Sequence, residues 1–378
     1  MSSRGVIDGN DRRFLDAAIR LARKNQGQTG TNPSVACIIV RDFGCGPVIV
    51  GSAVTGKGGR PHAEPPALME AGDEAMGATA YVTLEPCAHH GKTPPCAEAL
   101  ITAGVARVVT AIADPDDRVN GKGHQMLMDG GVAVDPVDGG EQAARVLQGY
   151  LKARSGVFPF VTLKVAMDKN GLIGCDHTGN LKISCRESML QTHLVRARSH
   201  AIIVGASTVL SDDPSLTCRL PGMAQRSPIR VVLDNRFRIH SGLGLVRTAR
   251  EIPTWIVAPA EPPEEWASMV LEFGLQHIPA DLDDDGRIAL PEMLEDLAAK
   301  GIQSVMVEGG ARLTDSFLKD DLIDEIIVHE GGEPETLPDE ECAVHAPFTT
   351  ENLPLGFEIV QKLVFGSDIS YRLRKRGQ

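Results

Sequence analysis

The stretch Thr83-Leu-Glu-Pro-Cys-Ala-His-His-Gly-Lys-Thr-Pro-Pro-Cys96, taken with His62-Ala63-Glu64 upstream, decides the character of the first part of this 378-residue chain. An imidazole and two thiolates are the nitrogen and sulfur donors that zinc prefers. Structural zinc sites usually close with four protein ligands. Three leave a position for water, whose pKa the metal lowers from ~15.7 to about 7. His62, Cys87 and Cys96 supply three, and Glu64 is then placed to carry protons rather than to bind metal. A histidine and two cysteines alone are more often structural or accidental. The His-Ala-Glu triplet, the pairs Pro86-Cys87 and Pro95-Cys96, and helices predicted just after 64 and 95 reverse that balance. Pro65 and Pro66 suit a first helical turn, where the missing N–H is no loss.

Outward from this stretch the apolar pattern alternates between helical and strand periods. Phe14, Leu15, Ala18, Leu21 and Ala22 share a helical face over 10–25, with Asn10 or Asp11 as cap. Val35–Val40 and Val48–Ala53 read as a hairpin broken at Gly44, Gly46 and Pro47. Strands at Tyr81–Leu84 and Arg107–Ile112 alternate with helices near 65–75, 95–104 and 140–153. Lys152–Pro159 reads as a linker, after which strands are predicted at Phe160–Ala166, Ala201–Val204, Ile229–Leu233, Thr254–Ala258, Ser304–Val307 and Glu325–Val328. Helices fit 186–198, 263–272, 290–300 and 311–319. This is α/β order in two domains, 1–152 and 157–378.

Composition agrees. A chain 42% hydrophobic and 23% charged has material for two cores. It has no apolar run of membrane-spanning length, and Met1-Ser-Ser-Arg-Gly5 lacks a signal peptide's apolar segment, so a soluble cytoplasmic protein is expected. Eight cysteines scattered through so long a chain are expected to be mostly reduced. A net charge of −12 argues against a nucleic-acid-binding surface, although a few local arginines suffice for one small phosphate.

The His-x-Glu…Pro-Cys-x-x-Cys signature belongs to zinc nucleobase deaminases, in which the glutamate moves protons between water and a ring nitrogen. Here Cys87 and Cys96 are eight residues apart instead of two. With that insertion, Thr83–Cys96 closely resembles the deaminase half of the bifunctional riboflavin-biosynthesis enzymes. Asn32-Pro33 with Val35 resembles that family's Asn-Pro-x-Val segment, with Ala36 where glycine is usual, and Asp114-Pro115 with Gly121-Lys-Gly123 matches another of its loops. The resemblance runs over roughly 10–150. It implies a cytidine-deaminase-like three-layer α/β/α domain with His62, Cys87 and Cys96 as zinc ligands, Glu64 as acid/base, and Asn32 and Lys92 as substrate contacts. The implied reaction is deamination by zinc-held hydroxide of a diaminopyrimidinone ribosylamino 5′-phosphate. On the residues alone, Asn32 is equally a turn residue, Lys92 a solvated lysine, and His89 and His90 polar surface.

In the second half no Gly-x-Gly-x-x-Gly follows a predicted strand. Instead Val305-Met-Val-Glu-Gly-Gly-Ala-Arg-Leu-Thr314 runs from a strand through paired glycines into a helix, an arrangement that can face a phosphate. Together with Val161–Ala166, Arg196–Gly205 and Thr208-Val-Leu-Ser-Asp-Asp-Pro-Ser-Leu-Thr-Cys-Arg219, it resembles the same family's reductase domain, whose fold is like dihydrofolate reductase. The resemblance implies NADPH contacts from Ala166, Ser184, Thr208, Asp212, Asn235 and the loop at Gly310. It places Arg196, Leu216, Arg219 and Glu308 at the ribosylamino phosphate and Lys164 at its ribose. Without it, Arg196 reads as a surface charge and Asp212-Asp213-Pro214 as a turn.

Three places depart from that family's pattern. Asn170-Gly171 stands for Asp-Gly. Gly179-Asn-Leu-Lys-Ile-Ser184 lacks the tryptophan that packs on the cofactor, and Glu330-Gly-Gly-Glu-Pro-Glu replaces an Ala-Pro-x-Leu-Leu-Gly segment. The leading reading is therefore a two-step enzyme using zinc and NADPH on a small pyrimidine nucleotide, with no nucleic-acid or membrane partner and a homo-oligomer left open. The departures favour, as an alternative, a deaminase fused to a non-catalytic domain. A nucleic-acid deaminase is opposed by the charge, and a purely structural zinc by the unused fourth position and Glu64.

Overall fold

The protein is described by a computed structural model over residues 8–91, 93–175, 181–332 and 342–376. Lys92, Gly179, Asn180 and residues 333–341 of the acidic stretch lie outside the described residues. The chain divides into two units, Met1–Gly156 and Val157–Gln378. Among the described residues no helix is long and apolar enough to cross a membrane.

Unit one comprises α1 (Gly9–Ala22), β1 (Ala36–Asp42), β2 (Pro47–Val54), α2 (Glu64–Ala71), β3 (Thr79–Val82), α3 (Cys96–Thr102), β4 (Arg107–Thr110), α4 (Lys122–Asp129), β5 (Ala133–Pro136) and α5 (Gly140–Ser155). The first five residues of β1 are all buried, as a strand covered on both faces must be. Cys37 and Ile39 pack with Ala63, Ala67, Ala97 and Leu100 on one face. Ala36, Ile38 and Val40 pack with Phe14, Leu15, Ala18 and Val146 on the other. The sheet order is β2-β1-β3-β4-β5, with β1 antiparallel to β2 and β3, and β3-β4-β5 parallel. This is the three-layer α/β/α arrangement that the resemblance implies.

Two expectations need adjustment. The cap of α1 is Asp8, whose carboxylate accepts the Asp11 N–H at 2.7 Å. Asp11 instead takes a bidentate bond from Arg107 at 2.7 and 2.8 Å and the Tyr81 hydroxyl at 2.7 Å. Helix α5 continues through Ser155, so the first half of the stretch read as linker is helical.

Unit two contains β6 (Phe160–Met167), β7 (Leu172–Cys175), α6 (Arg186–Arg198), β8 (Ala201–Gly205), α7 (Ala206–Asp212), β9 (Ile229–Leu233), α8 (Gly244–Arg247), β10 (Thr254–Ala258), α9 (Glu264–Phe273), β11 (Gln276–Pro279), α10 (Leu290–Ala299), β12 (Ser304–Val307), α11 (Ala311–Lys319), β13 (Glu325–Glu330), β14 (Ala343–His345), β15 (Phe357–Phe365) and β16 (Asp368–Lys375). Nine strands form one sheet in the order β11-β10-β9-β8-β12-β6-β13-β16-β15. The pairs from β11 to β13 are parallel, and β16 and β15 close the edge antiparallel. Val161, Leu163, Val165 and Met167 of β6 belong to the main core on one face, which leaves Thr162, Lys164 and Ala166 on the other. A small sheet of β14 and β7 carries a Cys175–Cys342 disulfide, Cα to Cα 5.0 Å, and the other six cysteines are free.

One buried charge in this unit acts as a pin. Arg230 on β9 is 1% exposed. Its guanidinium donates to the Thr254 and Thr248 hydroxyls at 2.9 Å and to the carbonyls of Leu245 and Ile252 at 3.0 and 2.9 Å. Burial pulls its pKa down to about 10, so it remains charged at neutral pH. Arg230→Met keeps the length but strands the Leu245 carbonyl and removes one bond each from the Ile252 carbonyl and the two hydroxyls, which keep the Thr254–Ile252 and Thr248–Gly244 bonds. At about 1–3 kcal/mol for a buried unsatisfied group, with the weaker losses added, we expect roughly 2–4 kcal/mol of destabilisation. Denaturant melting of the two proteins checks this, and equal midpoints would show that the pin does not stabilise.

Candidate active sites

The metal site of unit one lies where three segments converge. His62 and Glu64 flank the start of α2, Cys87 follows β3, and Cys96 is the first residue of α3. The Cys96 N–H donates to Cys87 Sγ at 3.3 Å, and the Ala97 N–H to the Cys87 carbonyl at 3.2 Å, which clamps the Cys87 loop onto the helix start. His62 Nδ1 lies 3.7 Å from Cys87 Sγ and 3.4 Å from Cys96 Sγ, and all three ligand atoms fall within 4.8 Å of one another. Tetrahedral zinc with Zn–S ≈ 2.3 and Zn–N ≈ 2.0–2.1 Å requires N···S separations of about 3.5 Å, so the donor set fits the ion in kind and spacing. Hydrogen bonding from Cys96 draws the Cys87 thiol well below its ordinary range, toward the thiolate that binds metal. Glu64 is buried, and desolvation, then the negative charge of Cys87, raise its carboxyl above the ordinary range. A carboxyl raised in this way is a better proton acceptor than an exposed one.

Asn32 donates its amide to the Gly59 carbonyl at 3.1 Å, which ties the Asn-Pro segment to the loop leading to His62. Sequence reasoning overlooked Glu85. Its buried carboxylate accepts backbone N–H groups from Asp114 (3.3 Å), Gly121 (3.0 Å), Gly123 (2.9 Å) and His124 (3.2 Å). It thereby fastens the 114–124 loop to the segment that carries Cys87. Gly123 is required there, because a Cβ would stand 1.9 Å from the Pro86 carbonyl oxygen. The sequence signal was present in Gly121-Lys-Gly123, but its anchor two residues before Cys87 was unread.

In unit two, Arg196 and Glu308 form one bidentate pair, Nε to Oε1 2.6 Å and Nη2 to Oε2 2.7 Å, with Nη1 donating to the Thr217 carbonyl at 3.1 Å. The expectation had Arg196 offering its fork to a phosphate; in this structure Glu308 takes that fork. Burial would raise Glu308, but Arg196, then Lys164, hold it below the usual carboxylate range. Burial lowers Lys164. Leu216 is buried at φ 53, a strained backbone for a branched residue, while Arg219 is exposed with Nη1 on the Ser215 hydroxyl at 3.3 Å.

The expected cofactor residues divide. Thr208 and Gly310 meet, since a Cβ on Gly310 would lie 3.9 Å from the Thr208 hydroxyl, and Gly310 caps the start of α11. Among the described residues Ser184 Oγ is buried with no hydrogen-bond partner, and Ala166 stands on the face of β6 turned away from the main core. An orphaned hydroxyl and a helix start beside Thr208 suit a polar phosphorylated ligand. Asn235 gives its amide to the Gly286 carbonyl at 2.6 Å, and Asp212 accepts from Ser211 at 2.8 Å.

Two of the departures meet in space. A Cβ on Gly331 would lie 2.1 Å from the Ile183 carbonyl oxygen, so glycine in the 330–332 stretch lets the tryptophan-free segment close onto the end of β13. At the third, Asp168 accepts the N–H groups of Asn170 and Leu172 at 2.8 Å each, and Gly171 takes φ 83. This completes the turn without an aspartate at 170.

For Glu85 we expect that replacement by alanine leaves zinc content intact while loosening the 114–124 loop. Hydrogen bonds to a charged acceptor contribute roughly 1.5–3 kcal/mol each, so amide exchange at Gly121, Gly123 and His124 should accelerate by at least ~10-fold. Unchanged exchange in peptides covering 114–124 would contradict the clamp.

Comparison with known proteins agrees with this geometry. Residues 8–112 match the cytidine and deoxycytidylate deaminase zinc-binding region, and residues 159–331 match the RibD C-terminal domain. The chain is 36% identical over 330 residues to riboflavin biosynthesis protein RibD of Escherichia coli, covering 84% of this chain and 87% of that protein. It is 38% identical over 314 residues to the RibD protein of Bacillus amyloliquefaciens, covering 83% and 82%. Among solved structures it is similar to RibD of Acinetobacter baumannii, with TM-score 0.80 and 34% identity over 97% of this chain and 98% of that one. A diaminohydroxyphosphoribosylaminopyrimidine deaminase/5-amino-6-(5-phosphoribosylamino)uracil reductase from Thermotoga maritima gives TM-score 0.78 at 28% identity over 97% and 98%. With the zinc triad and the reductase-type sheet in place, the chain belongs to the RibD family of bifunctional riboflavin-biosynthesis enzymes, a zinc-dependent deaminase and an NADPH-dependent reductase in one polypeptide.

Proposed function

We propose that unit one removes an exocyclic amine from a diaminopyrimidinone ribosylamino 5′-phosphate, and that unit two reduces the ribosylamino group of the product to ribitylamino. The observation that carries the first step is the convergence of His62, Cys87 and Cys96 beside the buried Glu64. Zinc, when bound, makes a water nucleophilic at neutral pH. Glu64 would take the proton of that water and give it to the adjacent ring nitrogen as the oxygen adds to the amine-bearing carbon, then pass the remaining proton of that oxygen to the amine as its C–N bond breaks. Asn32, fixed by the Gly59 carbonyl, borders the substrate. Lys92, a further contact on this reading, lies outside the described residues.

In unit two NADPH supplies the reducing hydride, and the protein aligns and polarises. The Thr208–Gly310 pair and the Ser184 hydroxyl, with Ala166, Asp212 and Asn235, would hold the cofactor. Arg196 fixes the Glu308 carboxylate, which with Lys164 faces the ribose, while exposed Arg219 beside Leu216 takes the phosphate. The open edge strand β15, with Ile359 and Val364 exposed, supports a homo-oligomer.

The test uses the full chain with the diaminopyrimidinone nucleotide. Wild type should release ammonia without NADPH and form the ribityl product only with it. Glu64→Gln should lower ammonia release by about 10²–10⁴-fold and still reduce added deaminated nucleotide. Ammonia release within a few-fold of wild type would remove Glu64 from the proton path.

A further inference from the structure

His329 stands among the reductase residues without a role assigned above. It is 1% exposed, and among the described residues both ring nitrogens are buried without a hydrogen-bond partner. A neutral imidazole here carries one unmet donor and one unmet acceptor, a costly arrangement in a buried setting. Its place is set by strand register. On β13, His329 is opposite Ala166 of β6, and Ile327 is opposite Lys164. Ile326 and Val328 point into the main core, so His329 shares the other face with Lys164 and Ala166. That is the face on which the proposed function seats the ribose and the nicotinamide. Lys164 is half-buried, and its amine makes no hydrogen bond among the described residues.

The charged groups facing these two side chains are Glu308 after β12, Arg196 on α6, and Asp368 and Arg372 on β16. Arg196 and Glu308 neutralise each other through their bidentate contact, and Asp368 accepts the Cys185 N–H at 2.8 Å. Burial first, then the positive charge of Lys164, pull His329 down to about 4, so the ring is neutral at working pH and can accept a proton-bearing partner. Among these groups the amine and the imidazole are the two whose bonding capacity is unmet.

We propose that His329 is a positioning residue for the reduction: its neutral ring accepts a hydrogen bond from the Lys164 ammonium and holds that ammonium at the ring oxygen of the substrate ribose. The inference rests on the reductase reading given above. Opening the sugar breaks the C1′–O4′ bond. The electron pair leaves on O4′, which takes a proton from Lys164, while the lone pair of the exocyclic nitrogen forms C1′=N. The hydride of the reduced nicotinamide then adds to C1′, returning that pair to nitrogen and leaving an amine and a C4′ hydroxyl. Lys164 regains its proton from water, so each turnover consumes one hydride and one proton.

The test is the NADPH-dependent reduction of deaminated nucleotide by the full chain as a function of pH, with ammonia release by the same preparations as an internal check on folding. His329→Phe conserves volume and removes the acceptor; His329→Gln restores one. We expect His329→Phe to lower kcat by roughly 10- to 100-fold with KM within about threefold and ammonia release unchanged. Without the acceptor the ammonium is less stabilised, so the alkaline limb of the kcat profile should move to lower pH by about one unit. His329→Gln should recover most of the rate and return the limb. A His329→Phe enzyme with kcat within twofold of wild type and an unmoved limb would overturn the proposal, as would a His329→Gln enzyme equally impaired with its limb in place. Absence of NADPH-dependent reduction in wild type would overturn the reductase reading itself, and this inference with it.

Discussion

Three ligand atoms from segments 62, 87 and 96 must meet inside a sphere a few ångström wide, and much of the first unit is explained by how that is achieved. The cysteines are eight residues apart, too far for one helical turn to present both. The chain instead folds the Cys87 loop back on the start of α3, where the Cys96 and Ala97 N–H groups hold it. His62 is brought to the cysteines because α2 packs on the same sheet face as α3 through Ala63, Ala67 and Ala71. Small residues at these contacts let the helices approach closely enough for Nδ1 to reach both sulfurs. Glu85 adds a second fastening by drawing the 114–124 loop to the same segment.

The reductase unit meets a different constraint: it buries charge beside its ligand site and must keep that charge compensated. Arg196 and Glu308 cancel, Asp368 is satisfied by a backbone N–H, and Arg230 is surrounded by carbonyls and hydroxyls. Buried ionic groups of this kind are tolerated only when their geometry and remaining bonds are in order. Among the described residues the Ser184 hydroxyl, Trp266 Nε1, the Thr314 hydroxyl and both His329 nitrogens are buried without such partners, and Ser184 and His329 belong, with Lys164, to the part of unit two proposed to hold substrate and cofactor.

Much of this was legible in the sequence because the controlling signals are local. His62-Ala-Glu64 and the two Pro-Cys pairs announce the metal site, and the unbroken apolar run in β1 announces a strand covered on both faces. What escaped depends on distance in the chain. Arg230 reads as any surface arginine until the fold brings Leu245 and Ile252 around it. Glu85 looks like a solvated acid until four amides from 114–124 close on it. The β15–β16 hairpin was missed because β15 lies at a sheet edge with exposed residues on both faces and shows no clean alternation. The departures at 179–184 and 330–332 suggested a damaged cofactor site when read separately. In the fold, the Gly331 backbone packs against Ile183, so the lost tryptophan is accompanied by a closer approach of the chain.

The central claim is that zinc in unit one is held by one nitrogen and two sulfurs with a position left over. X-ray absorption at the zinc edge of the purified chain tests it most directly, together with metal content. The account predicts one zinc per chain, two sulfur scatterers near 2.3 Å and two nitrogen or oxygen scatterers near 2.0–2.1 Å, one of the latter being solvent that exchanges with added ligand. A shell of three or four sulfurs, or zinc that survives replacement of both Cys87 and Cys96 by serine, would contradict it.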